Sequence, residues 1–157
     1  MKFTLLVVGR TVEKHYITAI DDYVARTKHF ISFDMEVIPE LKNTKSLSME
    51  QQKEKEGELI LKNVKPTDDM ILLDERGREF SSMEFAKALQ DKISYTGKDI
   101  VFVIGGAYGF SEAVRQRSNL KISLSRMTFS HQMVRAIFVE QLYRAFTIMK
   151  GEPYHHE

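Results

Sequence analysis

The sequence predicts an α/β fold in which helices flank a mostly parallel β-sheet, and three observations predict it. Short apolar segments alternate with longer segments of helical periodicity along the 157 residues, as in strands joined by crossover helices. Three of the apolar segments are unbroken, which is typical of strands covered on both faces. No linker, repeat or low-complexity tract interrupts the pattern, so we predict a single domain over residues 1–157.

The apolar segments predict five strands. They are FTLLVVG at 3–9, MEVIP at 35–39, MILLD at 70–74, IVFVIGG at 100–106 and KISLS at 121–125. The polar stretch at 40–48 is too short to separate domains, and we expect it to form a mobile loop.

Helical patterns lie between these strands. The first carries apolar residues at helical spacing from Tyr16 to Val24, and the second, which begins MEQQ, is charged for two turns before its apolar residues. A third helix is predicted at about 81–93, with Ser81 or Ser82 as its N-cap.

The last helix, at about 130–150, is apolar around nearly its whole circumference. Val134 and Phe138 belong to one broad face, and Val139 and Phe146 to another. A chain of this length has little interior in which to wrap a whole helix, so we predict that a second copy covers one side and that the protein is a homodimer. The alternative is a central helix in a monomer.

The same helix carries four ionisable groups. Glu140 and Arg144 are spaced to pair, while His131 and Arg135 lie near its start, on a different side. Gly151 is placed to end the helix. The tail beyond it either frays or folds back towards the strand ends.

Composition limits the location of the protein and the classes of site. The chain has no cysteine, which excludes disulfides and thiolate-bound metals. Its apolar N-terminal run is too short to span a bilayer and has no cleavage site after it, so we expect a cytoplasmic protein and no membrane partner. No acidic pair has the spacing of metal ligands, and no metal is expected.

The net charge of +1 does not by itself indicate a nucleic-acid partner. Residues 111–157 nevertheless hold seven basic and four acidic side chains, and residues 34–60 hold seven acidic and four basic ones. This asymmetry either orients a polyanion or reflects an uneven solvated surface.

Three strand ends predict a ligand pocket. The segments ILLDERG, IGGAYG and LSRMTFSH finish at one edge of a parallel sheet, where α/β proteins bind ligands. They offer apolar side chains and backbone polar groups with few charges, which favours a flat neutral ring such as adenine over a triphosphate. The glycines match neither the dinucleotide fingerprint nor a P-loop, and a tight turn is the alternative. A Ser–His–acid nucleophile also stays open, without a Gly-x-Ser-x-Gly turn to support it.

The motifs VIGGAYGF, LSRMTFSHQMVRAIFVEQLYRAF and PYH, with VVGR…KHY and KEGELIL, resemble a known family across nearly the whole chain. This family comprises the bacterial SPOUT-class methyltransferases of large-subunit ribosomal RNA, which methylate N3 of a pseudouridine in 23S rRNA. The resemblance implies an α/β fold with a C-terminal trefoil knot, S-adenosyl-L-methionine as methyl donor, and a homodimer that completes the active site.

The resemblance also implies roles for individual residues. The cofactor would be held, largely through backbone groups, by Leu73, Gly105, Leu124, Ser125, Arg126, Met127, Thr128 and Phe129. The catalytic residues near the substrate would be His131, Glu140, Arg144 and Tyr154, and the substrate would also be bound by Arg135 and His155. Glu140 would orient Arg144, and Tyr154 and His131 are both open as the base.

Two positions depart from the family pattern. Ser130 stands where the family commonly has proline, and His156 stands where it often has arginine or lysine, so a phosphate contact there would weaken as pH rises. Because the net charge is small, we expect the substrate to be the assembled ribosome rather than bare RNA. The alternatives are a non-catalytic dimeric RNA- or ribosome-binding protein with a regulatory nucleotide pocket, and a SPOUT methyltransferase that acts on transfer RNA.

Overall fold

A computed structural model describes residues 1–156 and confirms the predicted α/β fold. Its five strands are β1 (Lys2–Val8), β2 (Ser32–Ile38), β3 (Asp69–Glu79), β4 (Ile100–Ile104) and β5 (Leu120–Ser123). They form one sheet in the order β2-β1-β4-β3-β5, and every neighbouring pair is parallel. All five predicted strands are present, although β3 continues five residues beyond the predicted end at Asp74.

Five helices accompany the sheet. They are α1 (Lys14–Thr27), α2 (Met49–Lys62), α3 (Ser82–Tyr95), α4 (Glu112–Arg117) and α5 (Met133–Met149). A short 3-10 turn at Thr44–Ser46 lies within the predicted loop. Helix α4 is not predicted from the sequence, because six residues are too few to display a helical period.

The sheet is covered on both faces, as its unbroken apolar strands predict. Alternate side chains of β1 point to opposite sides: Phe3 and Leu5 pack beneath α1, α3 and α5, whereas Leu6 packs beneath α2 and α4. Phe102 of β4 is fully buried in the first of these two cores, where truncation to alanine would cost about 3–5 kcal/mol.

Serine caps fix where two of the helices begin. The Ser81 hydroxyl accepts a hydrogen bond from the Glu84 N–H, and the Glu84 carboxylate accepts one from the Ser81 N–H. This reciprocal pair identifies Ser81, of the two predicted candidates, as the cap of α3. Ser48 and Gln51 form the same arrangement at the start of α2.

The last helix begins at Met133, three residues later than predicted, but Ser130 still serves its first turn. The Ser130 hydroxyl accepts a hydrogen bond from the Met133 N–H at 3.0 Å. At the other end Gly151 has φ +68°, and its N–H donates to the Ile148 carbonyl, which confirms the predicted stop.

One chain does not cover α5 on all sides. Phe138 and Leu142 are buried against the sheet, while Ile137, Tyr143 and Ile148 are only half-buried. The predicted homodimer and the predicted knot remain predictions. Within residues 1–156, no helix has the length and apolar character needed to cross a membrane.

Candidate active site

A cavity of about 780 Å³ opens where β3, β4 and β5 end, at the edge of the sheet that the sequence predicts. Its lining includes seven of the eight residues predicted to hold a cofactor, namely Leu73, Gly105, Leu124, Ser125, Met127, Thr128 and Phe129. The eighth, Arg126, does not line it. The Arg126 side chain is 85% exposed, and its Nε lies 3.6 Å from the Glu79 carboxylate.

The loop from β4 to α4 forms one wall of the cavity, and it requires glycine. A Cβ atom at Gly105 would lie 3.0 Å from the Phe110 ring, which is buried beneath the loop. At the next position, the Gly106 N–H donates a hydrogen bond of 2.9 Å to the Glu56 carboxylate of α2. The VIGGAYGF motif is therefore a site of close backbone approach as well as a turn.

A bulge in β3 places charged side chains on the opposite wall. The register against β5 jumps between Leu73 and Arg78, so residues 74–77 leave the regular ladder beside the cavity. Gly77 allows this path, because a Cβ there would lie 2.6 Å from the Lys121 backbone. The prediction of few charges is wrong: Glu50, Lys53, Asp74, Glu75, Arg76, Glu112 and Arg115 all line the cavity.

Asp74 is the most buried of these charges and is paired with Arg115 of α4. Burial opposes ionisation of Asp74, but hydrogen bonds from the Arg76 N–H and the Arg115 guanidinium outweigh it and lower the pKa of the carboxyl. Glu75 accepts a hydrogen bond of 2.8 Å from the Thr128 hydroxyl. The bulge thereby anchors both α4 and the loop after β5.

The loop after β5 is held by short local hydrogen bonds. The Ser125 hydroxyl accepts from the Met127 N–H at 3.0 Å, and the Ser123 hydroxyl donates to the Ser125 carbonyl at 2.9 Å. Met127 itself is 77% exposed at the cavity mouth. His131 follows this loop, is exposed and also lines the cavity.

A second group of predicted catalytic residues lies outside the cavity lining, around the C-terminal half of α5. The Tyr154 hydroxyl donates to Glu140 at 2.9 Å and lies 3.0 Å from the Tyr23 hydroxyl of α1. Arg144 donates to the same Glu140 oxygen at 2.5 Å, which confirms the predicted pair. The other terminal nitrogen of the Arg144 guanidinium, Nη1, lies 3.1 Å from His155 Nδ1. We call these five residues the tail cluster.

The tail cluster favours particular protonation states. Burial raises the pKa of Tyr154, and its hydrogen bonds with Tyr23 and Glu140 raise it further. The hydrogen bond to Glu140 also raises the pKa of Arg144. Tyr154 is therefore a neutral phenol at neutral pH, and Arg144 is a cation held in place by a carboxylate.

The structure places Arg135 in neither group and corrects its predicted role in substrate binding. Arg135 is fully buried. Its guanidinium donates to the carbonyls of Val8 at 2.7 Å and Gly9 at 2.8 Å, and to the Thr11 hydroxyl at 3.0 Å. Burial lowers its pKa. With its terminal nitrogens bound to the end of β1, the side chain is out of reach of a ligand, and its role is to join α5 to β1.

Comparison with known proteins identifies the family. The model of the family described as "Predicted SPOUT methyltransferase" matches residues 1–155. The chain is 71% identical to the ribosomal RNA large subunit methyltransferase H of Phocaeicola vulgatus and 70% identical to that of Bacteroides thetaiotaomicron. It is 57% identical to the protein of the same name from Parabacteroides distasonis. All three alignments cover 100% of both proteins.

A more distant likeness is to the solved structure of a probable methylase family protein from Haemophilus influenzae Rd KW20. It has a TM-score of 0.49 and 15% identity, covers 95% of this chain and 66% of the other, and is too remote to assign an activity. The family match and the full-length relatives are sufficient without it, and the chain belongs to the SPOUT methyltransferase family.

Proposed function

We propose that this protein transfers the methyl group of S-adenosyl-L-methionine to N3 of a pseudouridine in 23S ribosomal RNA. The observation that carries the proposal is the cavity at the strand ends, which gathers Leu73, Gly105 and most of loop 124–129 around one space. The ribosomal target is supported by the names of relatives that are up to 71% identical over the full length.

The cavity suits S-adenosyl-L-methionine in both size and chemistry. Its volume of about 780 Å³ lies in the range of small-molecule sites. Apolar side chains such as Leu73 and Phe129 can enclose an adenine ring, and Gly105 lets a ligand approach the backbone. The charged residues of the wall are mixed in sign, which disfavours a triphosphate and provides carboxylates for a cationic donor. When bound, the donor supplies a methyl group that is already electrophilic.

A homodimer would unite the two groups of predicted catalytic residues. Within one chain, Met133 at the start of α5 and Arg144 are separated by about 16 Å along the helix axis, and the tail cluster does not line the cavity. Three apolar side chains around the segment that leads into α5 are exposed in a single chain: Met127 at 77%, Met133 at 43%, and Val12 at 68%, whose N–H donates to the Gln132 side chain. We propose that a second copy covers this surface and brings its own tail cluster to the cavity.

The chain's own residues would mainly align the reactants and remove a proton. Fixing a ring nitrogen against the methyl group contributes up to about 7–11 kcal/mol in ideal cases. N3 of pseudouridine carries a proton that must leave, so a base is required. We assign that role to His131, because it lines the cavity, whereas the Tyr154 hydroxyl already donates to Glu140 and has a raised pKa.

Arg144 and Tyr154 would stabilise the negative charge that develops on the pseudouridine ring. Loss of the N3 proton leaves negative charge on the two ring carbonyls, and a fixed guanidinium stabilises it most when water is excluded. Glu140 keeps Arg144 charged and oriented. His155, 3.1 Å from Arg144, lies where it can contribute a contact to the RNA backbone.

Methyl transfer from radiolabelled S-adenosyl-L-methionine tests the proposal. We expect labelled 23S RNA when intact ribosomes are the substrate, less with free large subunits, and least with bare RNA, because the small net charge gives the enzyme little hold on RNA alone. Mapping the label to N3 of a pseudouridine would complete the assignment. Label in transfer RNA would instead support a methyltransferase that acts on transfer RNA. Binding of the donor with no labelled RNA would support a non-catalytic RNA- or ribosome-binding protein. A ribosomal substrate also places the protein in the cytoplasm.

A further inference from the structure

Glu56 has no assigned role, yet its carboxylate contacts the loop that forms the cavity wall. It lies on α2 and is half-buried. Its Oε1 atom accepts the hydrogen bond of 2.9 Å from the Gly106 N–H. A Cβ atom at Gly106 would lie only 2.6 Å from its other oxygen, so the carboxylate and the loop are in close contact.

The residue after Glu56 explains how the carboxylate reaches this position. Gly57 is buried, and a Cβ atom there would lie 2.4 Å from the Ser111 hydroxyl and 3.2 Å from Val114. The helix backbone is therefore pressed against the far end of the same loop. Glu56 and Gly57 therefore contact the two ends of this loop, at Gly106 and Ser111.

Placing the Glu56 carboxylate in this half-buried position costs free energy, which its contact with the loop must offset. A carboxylate removed from water loses hydration that must be replaced by protein contacts. Burial raises the pKa of Glu56, and the Gly106 hydrogen bond and the nearby His131 oppose that change. Within residues 1–156, no lysine or arginine lies within 4.0 Å of this carboxylate to form an ion pair. Its backbone partner is the Gly106 N–H.

We propose that Glu56 is a positioning residue for the methyl donor. By holding the Gly106 N–H on the α2 side, it fixes the position of the Gly105–Gly106 turn, both residues of which line the cavity. This inference rests on the proposed function, in which Gly105 contacts the donor. It assigns Glu56 to donor binding rather than to the chemical step.

Calorimetric titration of the full-length protein with S-adenosyl-L-methionine tests this role. We expect Glu56→Ala to raise the Kd on the order of tenfold, since a hydrogen bond to a charged group is lost. Glu56→Gln keeps an acceptor oxygen and should restore the Kd to within about threefold of wild type. Glu58→Ala, an exposed position on the same helix, is the matched control and should bind as wild type does.

A double variant separates positioning from general damage. An alanine at Gly106 would displace the carboxylate and break the same hydrogen bond. We therefore expect Gly106→Ala and Glu56→Ala each to weaken binding about tenfold, and the double variant to be no weaker than either. A loss of about a hundredfold in the double variant would mean independent effects and would overturn the inference.

The remaining outcomes are distinguishable. If the wild-type protein binds no donor, the proposed function fails. If wild type binds and Glu56→Ala binds equally well, the inference fails alone. If Glu56→Ala instead lowers the Tm of the donor-free protein by several degrees and Glu56→Gln does not restore binding, Glu56 is only a structural residue and the inference is again overturned.

Discussion

The cavity and the tail cluster are built in opposite ways. The cavity is lined by the glycine loop, by apolar side chains from three strand ends and by charged side chains, of which Asp74, Glu75 and Arg115 join its walls. The tail cluster consists of charged and aromatic side chains on two helices and the C-terminal segment. The residues of the first lie together within one chain, whereas those of the second do not line that cavity. Under the proposed function, the first region would bind the donor, and Arg144 and Tyr154 of the second would stabilise the deprotonated pseudouridine.

The largest effect is expected from closing the cavity. Gly105→Val places a branched side chain where a single Cβ atom already lies 3.0 Å from the Phe110 ring, so the ring or the loop, both of which line the cavity, must shift. We expect the Kd for S-adenosyl-L-methionine to rise by more than about a hundredfold. Calorimetry measures this, with thermal unfolding to verify the fold. Normal affinity would remove Gly105 from the site.

Mixing two impaired variants would test whether the two regions meet across a dimer. Gly105→Val lacks the cavity and Tyr154→Phe lacks the tail hydroxyl, but a mixed dimer would contain one site with both intact. Random reassortment makes half of the dimers mixed, so we expect up to about a quarter of wild-type activity to return. Methyl transfer after co-refolding measures it. If each site is formed by one chain, activity will stay at the level of the separate variants.

Tyr154→Phe alone should separate chemistry from binding. The phenol contributes hydrogen bonds with Glu140 and Tyr23 but does not line the cavity. We expect turnover to fall by about tenfold to a hundredfold, with the Kd for the donor unchanged within about twofold. Tyr95→Phe, at a position 84% exposed, is the control. A weakened Kd with turnover preserved would move Tyr154 to the binding region.

The smallest effect is expected from pH, acting on the walls of the cavity. The pKa of Asp74 is lower in the folded protein than its ordinary value of 3.8. Its ionised form therefore stabilises the fold above pH 3.8, and this contribution is lost as pH falls through the lower, folded pKa. We expect Asp74→Asn to lower the Tm at about pH 7 but to have little effect at about pH 2. An equal loss at both pH values would exclude the ion pair as the cause.

The sequence predicts parts of both regions but not the whole of either. The strand ends, the glycine loop and the Glu140–Arg144 pair follow from apolar runs and helical spacing, which are local signals. The charged bulge at 74–77 does not, because LDERGRE reads as the polar end of a strand and only the register against β5 shows where its side chains point.

Glu56 and Arg135 were missed or misplaced for a related reason. Glu56 is one acidic residue among several on a charged helix, and only the glycine after it marks a close contact. Arg135 was expected to bind the substrate, because the resemblance to the family implied that role. Its partners are the carbonyls of Val8 and Gly9, 127 and 126 residues earlier in the chain, and no local pattern reveals such a pairing.

The contact between Arg135 and the end of β1 has a consequence for biogenesis. Chains emerge from their N-terminus, and long-range contacts wait for the later partner. The first strand is therefore made 127 residues before the guanidinium that satisfies the carbonyl of its last residue, Val8. A protein proposed to modify ribosomes would thus keep the end of its first strand unfinished while the ribosome that translates it adds those residues.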